Sequence, residues 1–333
     1  MSTNPCDSRL LALENWLRND LTLNIFSIAP ASSDASFRRY FRVKHNNGTH
    51  VVMDAPPDKE NVSAFVSLDK FFEAYGLHVP HIFAENLTDG FLLLEDFGNT
   101  SLLQSLSKET VDELYAKAMQ QLFFLQSRID PDACETNSYD QALLNRELDI
   151  FTEWFAQGLL GIELPETIKS PLYENLIRSA LEQPKVCVHR DFHSRNLMLL
   201  DNLSLGIIDF QDAVTGPVTY DLVSLLRDCY INWPDERVAG WINDYYQELT
   251  LAGKLDVPLQ QFKRWFDWMG MQRHLKAIGI FARLHLRDQK SGYLQDIPRT
   301  LDYVLAVSAI YPEFVDFHRF LQTQIVPIYQ EHL

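Results

Sequence analysis

The 333-residue sequence has little cysteine and no long apolar run. Its four cysteines are scattered, without a C-x-x-C pair or histidines at zinc-finger spacing, so we expect reduced thiols rather than disulfides. Nowhere do about 18 apolar residues follow one another, and the first residues show no basic region with an apolar segment behind it. We therefore expect a cytoplasmic protein that is neither exported nor membrane-spanning.

Positive charge is also scarce. The chain has 29 Lys and Arg against 45 Asp and Glu, a formal net charge of −16. A field of this sign repels phosphate backbones and anionic lipid surfaces, so we expect no nucleic-acid and no membrane partner. Hydrophobic residues make up 46% of the chain, which excludes intrinsic disorder. The length exceeds what one hydrophobic core usually organises, so we expect two domains.

The apolar pattern changes character near residue 100. Before this point, helices are predicted at about 1–25 and 58–75, and strands at 37–43, 50–53, 79–85 and 90–95. After it, long helices are predicted at about 107–128, 139–160 and 169–182 and from 220 onward, with one β-rich stretch at 186–209. We therefore predict an α+β fold, with a small β-rich N-terminal lobe (1–97) and a larger, mainly helical lobe (98–333).

The clearest chemical signal lies between Val186 and Leu200. This stretch reads Val-Cys-Val-His-Arg-Asp-Phe-His-Ser-Arg-Asn-Leu-Met-Leu-Leu, a polar loop between two apolar strands. It contains the pattern H-R-D-x-x-x-x-N, which is typical of the catalytic loop of protein kinases, and an Asp-Phe pair at Asp209 follows the next apolar strand. Phosphoryl transfer needs a carboxylate beside the attacking hydroxyl and hard oxygen ligands for Mg²⁺.

These requirements give roles to three residues. Asp191 would orient or deprotonate the acceptor hydroxyl, whereas Asn196 and Asp209 would hold Mg²⁺ against the phosphates of the nucleotide. His189 is expected to brace the loop by hydrogen bonds. Two other interpretations are an ordinary loop between strands and a zinc site of His189, His193 and Asp191, although the latter lacks a helical H-E-x-x-H pattern.

Five segments together resemble the aminoglycoside phosphotransferase family, small-molecule relatives of protein kinases. They are Ser33–Arg42, Met53–Pro57, His189–Asn196, Ile208–Ala213 and Gln272–Lys276. They are similar in particular to a bacterial branch that phosphorylates the anomeric hydroxyl of N-acetylmuramate and N-acetylglucosamine in cell-wall recycling. The resemblance implies a two-lobed protein-kinase-like fold, the cofactors ATP and Mg²⁺, and a small sugar as the substrate. The sequence does not indicate an oligomeric state.

The resemblance also implies where the nucleotide binds. Its phosphates would lie under the loop that contains Ser33, Ser36 and Phe37, which has no glycine but whose backbone N–H groups could face phosphate oxygens. The adenine would pair with backbone groups of Glu95 and Phe97 in the connector between the lobes.

One departure from the family concerns the lysine that usually binds the phosphates, because Met53 stands at or near its place. Arg42, Lys44 or Lys59 could substitute for this lysine, and we predict Arg42 as a nucleotide-binding residue. Asp221 resembles a family aspartate that anchors the catalytic loop, although a helix N-cap is the simpler interpretation. The missing lysine keeps a nucleotide-binding pseudokinase open as an alternative.

Candidate acceptor ligands come from three places. A predicted helix ahead of the catalytic loop presents carboxylates, which accept hydrogen bonds from sugar hydroxyls, and Asp140 is its candidate. His193 and Arg195 belong to the catalytic loop itself. Arg273 and Arg283 lie in a basic stretch, residues 262–290, and recur on one helical face.

This basic face has two interpretations. The ordinary one is a solvated surface. The other is an anion-binding wall in which Arg273 or Arg283 pairs with the lactyl carboxylate that N-acetylmuramate has and N-acetylglucosamine lacks. Of the two, Arg283 is favoured, because its neighbours Phe281 and Leu284 indicate a more buried turn. We predict a kinase that uses ATP and Mg²⁺ to phosphorylate a sugar hydroxyl. A phosphotransferase for an aminoglycoside or another small alcohol is the alternative within the class.

Overall fold

The computed structural model describes residues 7–32, 37–133 and 136–331. These residues form two compact units. The first contains the chain up to Thr100 together with Met198–Gln211, and the second contains Ser101–Leu197 and the chain from Asp212 onward. The segment 198–211, which the predicted boundary after residue 97 places in the second lobe, thus belongs to the first unit.

The secondary structure alternates short strands and helices in the first unit and is mainly helical in the second. The strands of the described residues are β1 (Ile25–Ser32), β2 (Arg39–His45), β3 (Gly48–Asp54), β4 (Ile82–Asn86), β5 (Phe91–Glu95), β6 (Asn137–Ser138), β7 (Lys185–Val188), β8 (Leu197–Leu199), β9 (Leu205–Ile207) and β10 (Val214–Pro217). The α-helices are α1 (Ser8–Asn15), α2 (Val62–Ala74), α3 (Leu102–Ser105), α4 (Val111–Arg128), α5 (Gln141–Ile150), α6 (Glu166–Leu181), α7 (Tyr220–Leu226), α8 (Asp235–Leu251), α9 (Leu259–Leu286), α10 (Ile297–Ile310), α11 (Val315–Phe320) and α12 (Val326–Glu331). Helices α1, α5 and α11 continue as π-helical segments, which are Trp16–Asp20, Phe151–Leu159 and Leu321–Ile325. Short 3₁₀ segments occur at Ser291–Asp296 and Pro312–Phe314.

An antiparallel five-stranded sheet, in the order β1-β2-β3-β5-β4, forms the first unit. The predicted turn at Asn46–Gly48 joins β2 to β3, and the positive φ of Gly48 (126°) suits such a turn. Leu13, Trp16 and Leu17 pack on one face of the sheet. Strand β1 does not appear in the sequence-based prediction; its Pro30 is compatible with an edge strand, which needs fewer N–H donors.

A buried carboxylate ties α1 to this sheet. Asp54 ends β3 and is completely buried. One of its oxygens accepts a hydrogen bond from Arg9 Nε (2.8 Å) and the other from Arg39 Nε (2.9 Å). Two guanidinium groups on one buried carboxylate satisfy its charge, which is the condition under which such a group is tolerated in a core.

Helix α2 explains why the segment 198–211 joins the first unit. Asn61 caps the helix, since its side-chain oxygen accepts a hydrogen bond from Ala64 N (3.1 Å). The rings of Phe65 and Phe72 pack on Phe210, with ring-centroid distances of 5.1 and 5.7 Å. In addition, Ile207 N donates to the carbonyl of His78 (2.8 Å), next to β4.

Asp69 lies on the same buried face of α2 and gives a prediction about stability. It is completely buried, and neither carboxylate oxygen has a hydrogen-bond partner among the described residues. Burial and the nearby charge of Glu73 raise the pKa of Asp69 from 3.8 to about 7. Because the folded-state pKa lies above the unfolded one, the folded state loses stability as the pH rises from about 4 to about 7.

We therefore expect Asp69→Asn to leave the Tm near that of the wild type at pH 5 and to raise it by about 5 °C at pH 8. Thermal unfolding of both proteins at the two pH values measures this. A difference in Tm that is the same at pH 5 and pH 8 would show that Asp69 does not titrate in this range.

The 28-residue helix α9 is central to the second unit and packs against α5, α6, α7 and α10. Gly279 lets it approach another helix closely, because a Cβ at this position would lie 2.5 Å from the backbone of Ile150. The three-stranded sheet β6-β10-β7 completes the unit. Among the described helices, none combines the length and the apolar character that crossing a bilayer requires. Cys187 and Cys229 are buried and form no disulfide with a described residue, whereas Cys6 and Cys134 lie outside the described residues.

Candidate active site

The loop between β7 and β8 is anchored by a carboxylate of α7. The two oxygens of Asp221 accept hydrogen bonds from His189 N (2.7 Å) and Arg190 N (3.0 Å). Burial raises the pKa of Asp221 to about 7, although the two N–H donors act in the opposite direction. Asp221 therefore holds the loop, as the resemblance implies, and the N-cap residue of α7 is Thr219 rather than Asp221.

Further hydrogen bonds fix the shape of this loop. Asp228 accepts from the backbone N–H of Ser194 (2.9 Å), and Asn196 Nδ2 donates to the carbonyl of Asp191 (3.0 Å). His189 Nδ1 accepts from Asp191 N (3.2 Å), which is the bracing contact predicted for it. Arg190 has a φ of 76°, a left-handed conformation that a non-glycine residue keeps only when its surroundings impose it.

The carboxylate of Asp191 is left open by these contacts. Among the described residues no donor hydrogen-bonds to its oxygens, and it lines a pocket together with His193, Arg273 and Lys276. Burial alone would raise the pKa of Asp191, but the charges of Lys276, His193 and Arg273 outweigh it and lower the pKa. The ionised carboxylate can therefore accept a proton or a hydrogen bond from a hydroxyl in this pocket.

Asp209 belongs to the first unit and follows β9. Its φ of 66° is again left-handed, and Gln211 Nε2 donates to its Oδ1 (2.7 Å). The carboxylate of Asp209 and the amide oxygen of Asn196, in the second unit, are the hard ligands that Mg²⁺ prefers. The donor chemistry fits magnesium, and the assignment of both residues as ligands stays a prediction.

Comparison with known proteins bears on this site. The model of the phosphotransferase enzyme family matches residues 27–256, more than half of the chain. The protein belongs to this family. The N-acetylmuramate/N-acetylglucosamine kinase of Pseudomonas putida is 43% identical over 325 residues, covering 93% of this chain and 95% of the relative. The kinase of the same name from Pseudomonas aeruginosa is 45% identical over 298 residues, covering 88% of this chain and 87% of the relative.

A solved structure supports the fold. The ADP-bound aminoglycoside phosphotransferase aligns with a TM-score of 0.57 and 17% sequence identity, covering 90% of this chain and 98% of that chain. The prediction of a protein-kinase-like α+β fold is therefore confirmed, and so are the predicted family and the assignment as a phosphotransferase enzyme.

A buried network of charged side chains, centred on Glu147, contacts the loop between β7 and β8 through Arg190. Glu147 of α5 is 2% exposed and accepts hydrogen bonds from Arg190, from Tyr139 and from Lys276 Nζ (2.9 Å). Burial would raise the pKa of Glu147, but Lys276 and Arg190 lower it overall. Lys276 Nζ also donates to the hydroxyl of Tyr220 (3.2 Å). The ammonium group is therefore fixed at the wall of the pocket that contains Asp191.

This network gives a prediction about pH. Lys276 contributes the largest of the charges that lower the pKa of Asp191. We expect Lys276→Met to raise that pKa, so that the acid limb of the kcat/KM profile moves to higher pH. Profiles between pH 5 and 9 measure the shift, and Lys263→Met on the same helix is the control. An unmoved acid limb would mean that Lys276 does not influence Asp191.

The predicted nucleotide ligands lie in the first unit. Ser33 and Ser36 are outside the described residues, and Phe37 beside them is 65% exposed. Glu95 N donates to the carbonyl of His81 (2.9 Å). Phe97 is buried, and its ring faces Gly206, where a Cβ would lie 2.5 Å from ring carbons. A glycine at position 206 is thus required for the connector to pack as it does.

Arg42 has partners in the connector. Its Nε and Nη2 donate to the two oxygens of Asp96 (2.7 and 2.8 Å), and Nη2 also donates to the carbonyl of Gly98 (2.7 Å). Met53 is completely buried in β3, and Lys44 is exposed. The guanidinium of Arg42 is thus hydrogen-bonded within the connector. Its assignment to the nucleotide phosphates stays a prediction.

The predicted acceptor ligands are not all brought together. His193 and Arg273 line the pocket of Asp191. Arg195 is exposed, and its guanidinium lies 3.5 Å from the centre of the Tyr230 ring, another residue of this pocket. The side chains near Asp191 therefore include those of His193, Arg195, Tyr230 and Arg273.

Two candidates lie elsewhere. Asp140 is exposed and caps α5, with its Oδ1 accepting from Leu143 N (2.8 Å). Arg283 is half-buried, and its Nε has no hydrogen-bond partner among the described residues. Neither lines the pocket of Asp191. Their roles as substrate ligands stay predictions. Lys276 is not among the predicted ligands but lines the pocket, because it follows Arg273 by three positions on one helical face.

Proposed function

We propose that the protein is an ATP-dependent kinase that phosphorylates the anomeric hydroxyl of N-acetylmuramate and N-acetylglucosamine. The observation that carries this proposal is the ionised, open carboxylate of Asp191 in a pocket with two cations, Arg273 and Lys276. It is supported by relatives of that name at 43% and 45% identity over most of the chain. We further infer a cytoplasmic enzyme of amino-sugar recycling, because ATP is present in that compartment.

In the proposed reaction the anomeric oxygen forms a bond to the γ-phosphorus of ATP. The bond between that phosphorus and the β,γ-bridging oxygen breaks, and ADP leaves. Asp191 takes the hydroxyl proton or orients the hydroxyl by accepting its hydrogen bond. Magnesium supplies charge neutralisation at the phosphates when bound, and Asn196 and Asp209 would be its protein ligands. The products are a sugar 1-phosphate and ADP.

ADP release with a panel of acceptors tests this proposal. The panel contains the two amino sugars, an aminoglycoside, choline and the 1-O-methyl glycoside of N-acetylglucosamine. We expect ADP with both amino sugars and none with the methyl glycoside, because methylation removes the anomeric hydroxyl. Turnover of the methyl glycoside would place the phosphate on another hydroxyl.

The other acceptors separate the alternatives. Turnover of the aminoglycoside or choline without the amino sugars would identify a different acceptor class. ATP binding without ADP release for any acceptor would identify a pseudokinase.

A further inference from the structure

Arg273 differs from the other cations near Asp191. It lies on α9, is 6% exposed and lines the pocket of Asp191. In residues 7–32, 37–133 and 136–331, no carboxylate lies within 4 Å of its guanidinium. Its one side-chain hydrogen bond goes to Sγ of Cys229, at 3.7 Å. A thiol is a weak acceptor, so the guanidinium is buried without a carboxylate in direct contact.

The neighbouring cations are each in contact with a carboxylate. Arg190 and Lys276 share the carboxylate of Glu147, and Arg227 pairs with Asp267 (2.7 Å). Removing a charged group from water without a contacting partner is costly, so a buried guanidinium at a pocket wall with no carboxylate in contact indicates a ligand that supplies one. Asp191 and Asp228 attract the guanidinium of Arg273 from a distance, but neither carboxylate forms a hydrogen bond or an ion pair with it.

We propose that Arg273 is the specificity-determining residue that binds the lactyl carboxylate of N-acetylmuramate, an inference that rests on the proposed function. A guanidinium presents two parallel N–H donors that match a carboxylate. Ile280 and Phe281 line the same pocket and give it an apolar wall beside this charge. N-acetylglucosamine lacks the carboxylate and leaves Arg273 without this contact.

The structure favours Arg273, whereas the sequence favours Arg283 because of its apolar neighbours Phe281 and Leu284. Arg283 does not line the pocket of Asp191, and burial together with the charge of Arg287 lowers its pKa. Arg273 is the more buried of the two and shares the pocket with the carboxylate that faces the acceptor.

The test compares both sugars on one variant. We expect Arg273→Met to lower kcat/KM for N-acetylmuramate by about 10- to 100-fold and that for N-acetylglucosamine by less than about 3-fold. Assays at pH 8 keep Asp191 ionised with or without the guanidinium. Arg273→Lys, which keeps the charge but loses the paired donors, should fall between wild type and Arg273→Met. Arg287→Met, an exposed position next to the end of α9, is the control for a lost guanidinium.

A second measurement needs no variant. The substrate is an analogue of N-acetylmuramate whose lactyl carboxylate is replaced by an amide. The wild-type enzyme should phosphorylate this analogue about 10- to 100-fold less efficiently than N-acetylmuramate itself, because the amide has the shape of the carboxylate but no charge. Arg283→Met is assayed in parallel with both sugars. Equal losses on both sugars, no loss in Arg273→Met, a loss confined to Arg283→Met, or full activity with the amide would each overturn the inference. Wild-type enzyme that phosphorylates neither sugar would instead overturn the proposed function.

Discussion

Asp191→Asn is expected to lower kcat by about two to four orders of magnitude, the usual range for loss of a general base. The substitution keeps the shape of the side chain and removes its charge. The carboxylate has no hydrogen-bond donor among the described residues, so the effect falls on the acceptor rather than on the loop. The loop contacts of this residue run through its backbone N–H and carbonyl, which the variant retains.

Single-turnover kinetics and ATP binding by calorimetry measure the two halves of this prediction. The Kd for ATP should change little, because Asp191 is expected to face the acceptor. Asp244→Asn, an exposed carboxylate on α8, is the matched control. A variant that retains more than about a tenth of the wild-type activity would remove Asp191 from the mechanism.

Local patterns were enough to predict that Asp191 lies in a loop between two strands. A kinase-like H-R-D-x-x-x-x-N pattern between apolar strands depends only on neighbouring residues, and the structure places Asp191 in a loop held by Asp221. The hairpin of β2 and β3 was predictable for the same reason, since Asn46–Gly48 provides the turn. Such signals survive in a single sequence because they do not require knowledge of distant contacts.

Which residues of α9 line the pocket of Asp191 could not be predicted in this way. Spacing alone places Arg273 and Arg283 on one helical face, but it does not say which part of a 28-residue helix is buried. The position of Lys276 at the pocket involves its ion pair with Glu147, which lies 129 positions earlier in the chain. Arg42 is similar, because its partner Asp96 is 54 positions away. Ion pairs between distant residues leave no periodic signal.

The division into units was also beyond local patterns. The change of composition near residue 100 is visible in the sequence, whereas the return of Met198–Gln211 to the first unit is not. It depends on packing of Phe210 against α2 and on the hydrogen bond from Ile207 to His78. Asp209, between these two residues, is therefore carried by the first unit although the rest of the motif lies in the second.

This placement gives the second prediction with a large effect. Asp209→Asn removes one negative charge from a proposed site for a hard cation, whose affinity depends on anionic oxygen. Loss of a metal contact that stabilises phosphate charge is worth several kcal/mol, so kcat at saturating acceptor should fall by about three orders of magnitude. The Mg²⁺ concentration needed for half-maximal ATP binding should rise by about tenfold or more.

The two candidate aspartates can be separated by their response to magnesium. ATP binding at a series of Mg²⁺ concentrations should shift in Asp209→Asn and remain at the wild-type position in Asp191→Asn. Asp201→Asn, an exposed carboxylate in the same unit as Asp209, is the control for a lost charge near β8 and β9. The amide of the variant still accepts the hydrogen bond that Gln211 donates, so the left-handed turn at position 209 keeps this contact. Magnesium-dependent ATP binding that is indifferent to Asp209→Asn would place the metal on other residues, and the role of Asn196 would then have to be reassigned with it.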